Sequence, residues 1–256
     1  MNITVERVAY GDVEALRGLY RQEANCQIVG DSALARGLAD PYLLRADGRI
    51  AAYGAVWNRY SPGRVHEFYT LPHARPLALP LFRELLDASG ATGIEAQTNI
   101  PRMLALLYDC GTNVVTEKIL FHDALATDLP CPPGATFRRA APGDAASIFP
   151  HRDEPIGDWV IEDGGGRVVA TGGFLCHYNP PYGDLYMEVA EHARRQGYGS
   201  YLIQELKRVC YEAGRLPSAR CSPENEASRR TLERAGLLSC GRLLVGEVAP
   251  RVTASV

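Results

Sequence analysis

Asp184-Leu185-Tyr186-Met187-Glu188-Val189, followed four residues later by Arg194-Arg195-Gln196-Gly197-Tyr198-Gly199, is the stretch that decides the fold of this 256-residue chain. Leu185, Met187 and Val189 share one face by period two, so the first six residues read as a strand. Past the second block, Leu202, Ile203, Leu206, Val209 and Cys210 recur at i, i+1, i+4, i+7 and i+8, and Gly214 stops the helix they define. A strand feeding a Gly-x-Gly turn at a helix start aims free backbone N–H groups and the positive end of the helix dipole at one point. That point binds anions. Gly197 and Gly199 let the main chain approach phosphate oxygens, and Arg194 and Arg195 add charge. Alone, the turn is equally well a plain helix start.

Working outward, the chain reads twice. Ile3 to Asp12 is an alternating strand running into a turn, and Ala135 to Asp144 has the same design, with Asp12 and Asp144 both placed to cap a following helix. Tyr42 to Gly54 and Trp159 to Gly172 are each a strand, a Gly-containing turn and a second strand, the pattern of a β-hairpin. Each half continues with a strand (Arg64 to Thr70; Asp184 to Val189) and a helix (about Leu77 to Ala88; about Gly199 to Ala213). A short strand (Ile94 to Gln97; Ser218 to Cys221) and a second helix ending in Gly111 or Gly236 complete it. Mixed strand and helix order implies α/β architecture. The Pro-rich Leu129-Pro130-Cys131-Pro132-Pro133-Gly134 is the natural linker.

Hydrophobic residues at 46% and charged residues at 22% define a globular chain with ample core. A net charge of -3 with no basic tract argues against a nucleic-acid partner, which needs a cationic face to displace counterions. No apolar run approaches membrane-spanning length, and the N-terminus lacks the core of a signal peptide, so a cytoplasmic protein is expected. The seven cysteines are scattered without a Cys-x-x-Cys pair, which points to reduced thiols and no metal site. Cys110 and Cys210 fall in or at the ends of helical patterns, as small buried residues.

Val189, Arg194, Gly197 and Gly199 have the spacing of motif A of the GNAT acyltransferase superfamily, and Asn225, Ser228 and Leu232-Glu233-Arg234-Ala235-Gly236-Leu237 resemble its motif B. Two spaced signatures in order are more specific than either, and they span nearly the whole second half. The resemblance implies two tandem GNAT-like α/β domains, each a mixed, mostly antiparallel sheet flanked by helices. Residues 1–128 would be a degenerate copy, 129–134 the linker and 135–256 the catalytic N-acetyltransferase domain.

By the same resemblance, the pyrophosphate of acetyl-CoA would rest on the backbone amides of Gln196, Gly197, Tyr198, Gly199 and Ser200, beside Arg194 and Arg195. The pantetheine would pair with the strand edge at Met187 to Val189, with Asn225 and Ser228 helping to hold it. A backbone N–H near Met187 would polarise the thioester carbonyl. Acyl transfer to an amine also needs a base, and usually an acid for the departing thiolate. The family's Tyr acid position holds Leu232, and its Glu position holds Gly183, with Asp184 beside it. Asp184 and Glu188 are therefore the base candidates and Tyr186 an acid candidate. A solvated strand residue is at least as good a reading of Glu188. His177 and His192 read as surface or loop histidines.

Laid on the second half, Arg75 falls under Arg194 (194 minus 75 is 119), Ala78 under Gly197 and Pro80 under Gly199. Proline has no N–H and alanine adds a Cβ, so the first copy is expected to hold pyrophosphate poorly. It would serve as packing partner and substrate wall, one chain imitating a dimer, as a monomer or as a homodimer. Trp57, Phe68 and Tyr69 could line that wall, although ordinary core aromatics are the better reading. The acceptor implied is a small-molecule amine. A CoA-binding sensor without catalysis and a protein N-terminal or lysine acetyltransferase are the alternatives.

Overall fold

A computed structural model describes residues 1–23, 31–146, 157–177 and 180–250. The elements run β1 (Ile3–Arg7), α1 (Tyr10–Glu23), α2 (Asp31–Ala35), β2 (Ala39–Ala46), β3 (Arg49–Trp57), β4 (Arg64–Thr70), α3 (Ala78–Ser89), β5 (Gly93–Gln97), α4 (Pro101–Cys110) and β6 (Gly111–Asp123). They continue with β7 (Thr136–Arg139), β8 (Trp159–Glu162), β9 (Val168–Leu175), β10 (Tyr182–Val189), α5 (Tyr198–Glu212), β11 (Leu216–Cys221), α6 (Glu226–Arg234) and β12 (Leu237–Val248). The order is α/β, with each sheet mixed and flanked by helices.

Both hairpins form where local chemistry places them. Asp47 and Gly48 join β2 to β3 with φ of 47° and 79°, the two left-handed positions that a two-residue turn between antiparallel strands demands. Between β8 and β9, Asp163 Oδ1 accepts from the backbone N–H of Gly165 at 2.9 Å and of Arg167 at 3.0 Å. The two capping aspartates act differently from the expectation. Asp12 lies inside the first turn of α1 and reaches back to the N–H of Ala9 at 3.0 Å, and Asp144 does the same to Ala141 at 2.6 Å. Each side chain thus satisfies the N–H that precedes its helical turn, and the two halves use the same device.

The chain forms two compact units, Met1–Lys118 with Gly241–Val256, and Ile119–Cys240. Their borders do not fall at the linker. In unit 1 the strand order is β1-β2-β3-β4-β5, then the end of β12, then the start of β6. In unit 2 it is β7-β8-β9-β10-β11, then the end of β6. Leu243 to Glu247 of β12 run antiparallel to Gln97 to Gly93, and Ile119 to His122 of β6 run antiparallel to Cys221 to Ser218. Each unit's sheet is therefore completed by a strand from the other half of the sequence. The long strands β6 and β12 have no counterpart in the motif reading, because nothing local marks which sheet a closing strand joins.

Unit 2 is built on α5, whose Leu202, Ile203, Leu206, Val209 and Cys210 are buried with Leu185 and Ala219 in one core. At roughly 2 kcal/mol of transfer free energy per buried side chain, this stripe is what holds the helix against β9 and β10. Cys110 and Cys210 are buried, and none of the six cysteines among the described residues forms a disulfide; Cys26 lies outside them. Burial pushes the Cys210 thiol up to about 12, so it packs and does not react. Unit 1 has two cores, one under α3 and α4 and one under α1 and α2. Among the described residues no helix is long and apolar enough to cross a membrane.

Candidate active site

β10 pairs antiparallel with β9 along its whole face, from Asp184 opposite Leu175 to Val189 opposite Ala170. Its other edge pairs parallel with β11 only at Tyr182, Gly183 and Asp184, opposite Leu216, Pro217 and Ser218. Past Asp184 the strands part. The edge from Leu185 to Val189 is then no longer paired with β11, and its backbone groups can meet another extended chain.

At the end of β10 the backbone turns through a short 3-10 stretch, Glu191–Ala193. Arg194 Nε donates to the Val189 carbonyl at 3.3 Å and Gln196 Nε2 to the His192 carbonyl at 2.9 Å, so both side chains brace the loop. Arg195 and Gly197 are left-handed, with φ of 63° and 91°. Gly197 is the cap residue of α5, and the Tyr201 N–H is the first to find a helical acceptor, Gly197 O at 3.0 Å. The amides from Gly197 to Ser200 precede it and have no acceptor one turn back.

The two glycines have different jobs. A Cβ at Gly197 would meet nothing within 4 Å, so that residue serves the left-handed turn. A Cβ at Gly199 would lie 3.2 Å from Thr231 Cγ2, 3.4 Å from Val189 Cγ2 and 3.5 Å from Met187 Cε, so Gly199 seats α5 against β10 and α6. The Tyr198 and Ser200 side chains are buried, which leaves only their amides to face a ligand. Arg194, Arg195 and Gln196 are exposed.

Where the strands part, a cavity of about 110 Å³ is lined by Asp184, Leu185, Tyr186 and Met187 of β10, Ala219 and Arg220 of β11, and Leu175, Ile203, Ser228 and Leu232. Asp184 is buried and its Oδ2 lies 3.1 Å from Arg220 Nη2. Tyr186 stands opposite Gly173, where an added Cβ would come within 2.9 Å of the phenol oxygen; the ring lies flat across β9. Glu188 is half-buried opposite Thr171. Asn225 Oδ1 caps α6 by accepting from the Ser228 N–H at 2.9 Å, so the motif B pair is joined by a hydrogen bond. Leu232 is 3% exposed and forms an apolar wall of the cavity.

Of the sequence-derived residues, Asp184, Tyr186, Met187 and Ser228 meet at this cavity, while Glu188, Val189 and the loop lie beside it. Arg220 was missed. Its signal was available, since Ala219 and Cys221 are buried in the core and alternation turns Arg220 to the opposite face.

The corresponding loop of unit 1 is spent internally. Arg75 Nη2 pairs with Glu23 Oε2 at 2.6 Å, the Ala78 N–H donates to Arg75 O, and Pro80 sits in the first turn of α3 without an N–H. The first turn therefore offers few free amides.

A parted parallel strand pair and a Gly-capped helix at the end of the same strand set an open strand edge beside the first amides of α5. Residues 122–237, nearly coincident with unit 2, match the acetyltransferase (GNAT) family. The fold is similar to that of a GNAT-family acetyltransferase from Colwellia psychrerythraea at 17% identity, covering 97% of this chain and 100% of that one, with a TM-score of 0.75. A tandem GNAT protein from the clavulanic acid biosynthesis pathway is similar over 98% of this chain and 100% of its own, at 13% identity and a TM-score of 0.63. A GCN5-related N-acetyltransferase from Sphaerobacter thermophilus is similar over 98% and 97%, at 17% identity and 0.58. The sequence has no significant match among curated proteins.

Proposed function

We propose that unit 2 transfers the acetyl group of acetyl-CoA to the primary amine of a small molecule. The observation that carries this reading is the parting of β10 from β11 past Asp184, together with the uncapped amides of α5 at the end of that same strand. The amides from Gly197 to Ser200, with Arg194 and Arg195, suit a pyrophosphate, and the Met187 to Val189 edge suits the amides of a pantetheine arm. When bound, acetyl-CoA supplies the activated acyl group. The chain's own residues orient it and accept the amine's proton. Because Asp184 is held by Arg220, Glu188 is the better base in this reading, acting directly or through water, and Tyr186 is the remaining hydroxyl for the thiolate. Unit 1 is proposed to be the degenerate copy, on the strength of Pro80 and the Arg75–Glu23 pair.

Release of free thiol from acetyl-CoA across a panel of small amines tests this, with Gly199→Asp as control. Turnover with a small amine, lost in the control, is the expected result. Tight CoA binding without turnover for any amine would instead favour a sensor, the reading supported by the apolar Leu232.

A further inference from the structure

Unit 1 carries a groove of its own, beside the loop that joins β3 to β4. Arg64, Gly93 and Glu247 stand in register across β4, β5 and the end of β12, so they share one face of the sheet. Asn113, at the start of β6, continues the row by donating from Nδ2 to Glu247 Oε2 at 2.9 Å. These four residues line a groove of about 510 Å³ whose other walls include Tyr60, Pro62, Val115 and Val245, all within unit 1. That volume lies in the range of small-molecule sites.

The walls are braced. The Gly63 N–H donates to Trp57 O at 2.9 Å and the Arg64 N–H to Ser61 O at 3.1 Å, while the Thr92 and Gly93 N–H groups donate to Gly63 O at 2.8 and 3.2 Å. The loop is thus pinned to the start of β5, and the groove keeps its shape before any ligand arrives. Gly93, without a side chain, leaves the middle of the row low.

The charge left over in the groove is negative. Arg64 is matched already, since its Nη1 lies 2.9 Å from Glu117 Oε2 and 3.6 Å from Glu95 Oε2. Glu247 is exposed, and its partner among the described residues is the neutral Asn113 amide. A carboxylate offers about four acceptor sites, so one amide leaves its charge uncompensated and most of its capacity open. The apolar walls are exposed too. Tyr60 is 66% and Val115 59% exposed, and the Tyr60 ring stands at 73° to that of Trp57, which therefore covers at most one of its faces.

We propose that this groove binds an organic cation with an apolar body, an arylalkylammonium compound, whose nitrogen pairs with Glu247 while its body lies against Tyr60, Pro62 and Val115. Charge compensation and burial of apolar surface are supplied together; a small hydrophilic amine offers only the first and an uncharged aromatic only the second. The site uses no residue of β10 or α5 and stands apart from acetyl transfer in unit 2.

Calorimetric titration of the full chain with phenethylamine tests it, with ethylamine as the charge-only probe and phenethyl alcohol as the ring-only probe. Phenethylamine is expected to saturate a site with a Kd about tenfold or more below that of either partial probe. Glu247→Gln and Tyr60→Ser, both at exposed positions on which folding does not depend, should each raise that Kd about tenfold. In the unsubstituted protein phenethylamine should shift the backbone amide resonances of Gly93 and Gly246, which both line the groove. No saturation, equal affinity for either partial probe, a Kd untouched by both variants, or saturation without those two shifts would overturn the proposal. Shifts confined to the amides from Val189 to Ser200 would place the amine on unit 2 and overturn it equally.

Discussion

Arg17 and Glu67 are the most deeply buried ion pair described, with side chains 1% and 2% exposed, and they come from positions 50 residues apart. Removing one partner strands the other charge, so Arg17→Met should lower unfolding stability by about 3–5 kcal/mol in a denaturant titration. The double variant Arg17→Met with Glu67→Leu should recover much of it. His66 gives a pH signature. Its folded pKa, about 4, lies below the ordinary value of 6.5, so the unfolded chain takes up a proton between those values that the folded chain refuses. Stability is thus fully present above pH 6.5 and falls by about 3 kcal/mol in total as pH drops to 4. In His66→Phe, melting temperatures measured across that window should lose this component of the slope. At Gly199, any side chain must displace Thr231, Val189 or Met187, and Gly199→Asp also sets a negative charge at the helix start. CoA affinity should fall by roughly tenfold or more by calorimetry.

At the scale of elements, α5 is tied to its surroundings by a buried cation. Lys207 Nζ donates to the carbonyls of Leu125 and Ala235 at 2.7 and 2.8 Å and pairs with Asp123 Oδ1 at 2.6 Å. One side chain thus holds the helix, the end of β6 and the turn after α6. Lys207→Met leaves two carbonyls and a carboxylate without it and should cost about 3–5 kcal/mol in thermal unfolding; Asp123→Asn should restore part of the loss. The α5 element itself was legible from its apolar stripe and its glycines, because helix periodicity and capping are local. The Lys207 latch was not, since its partners lie 82 and 28 residues away and no pattern in α5 singles out one lysine.

For the whole molecule, the exchange of closing strands predicts mutual dependence. Residues 1–128 and 129–256, produced separately, would each lack a strand that completes a unit, leaving open sheet edges and uncovered core. Neither fragment should show cooperative unfolding by circular dichroism, and mixing or co-expressing them should restore it. Cooperative unfolding of either fragment alone would contradict the strand assignment.

The repeat, the two hairpins and the strand-loop-helix from Asp184 to Ala213 were determined by sequence alone, because turn chemistry, period-two alternation and helical spacing act over a few residues. Asp47-Gly48 could make little but a tight turn, and Arg194 to Gly199 little but a helix start. Tertiary structure decided which sheet β6 and β12 complete, that Asp184 faces Arg220, that Tyr186 lies over Gly173, and that a bulge buries His66. Each of these depends on which strands lie side by side. Pairing is set by burial summed over a whole sheet, and no single stretch of residues carries that sum.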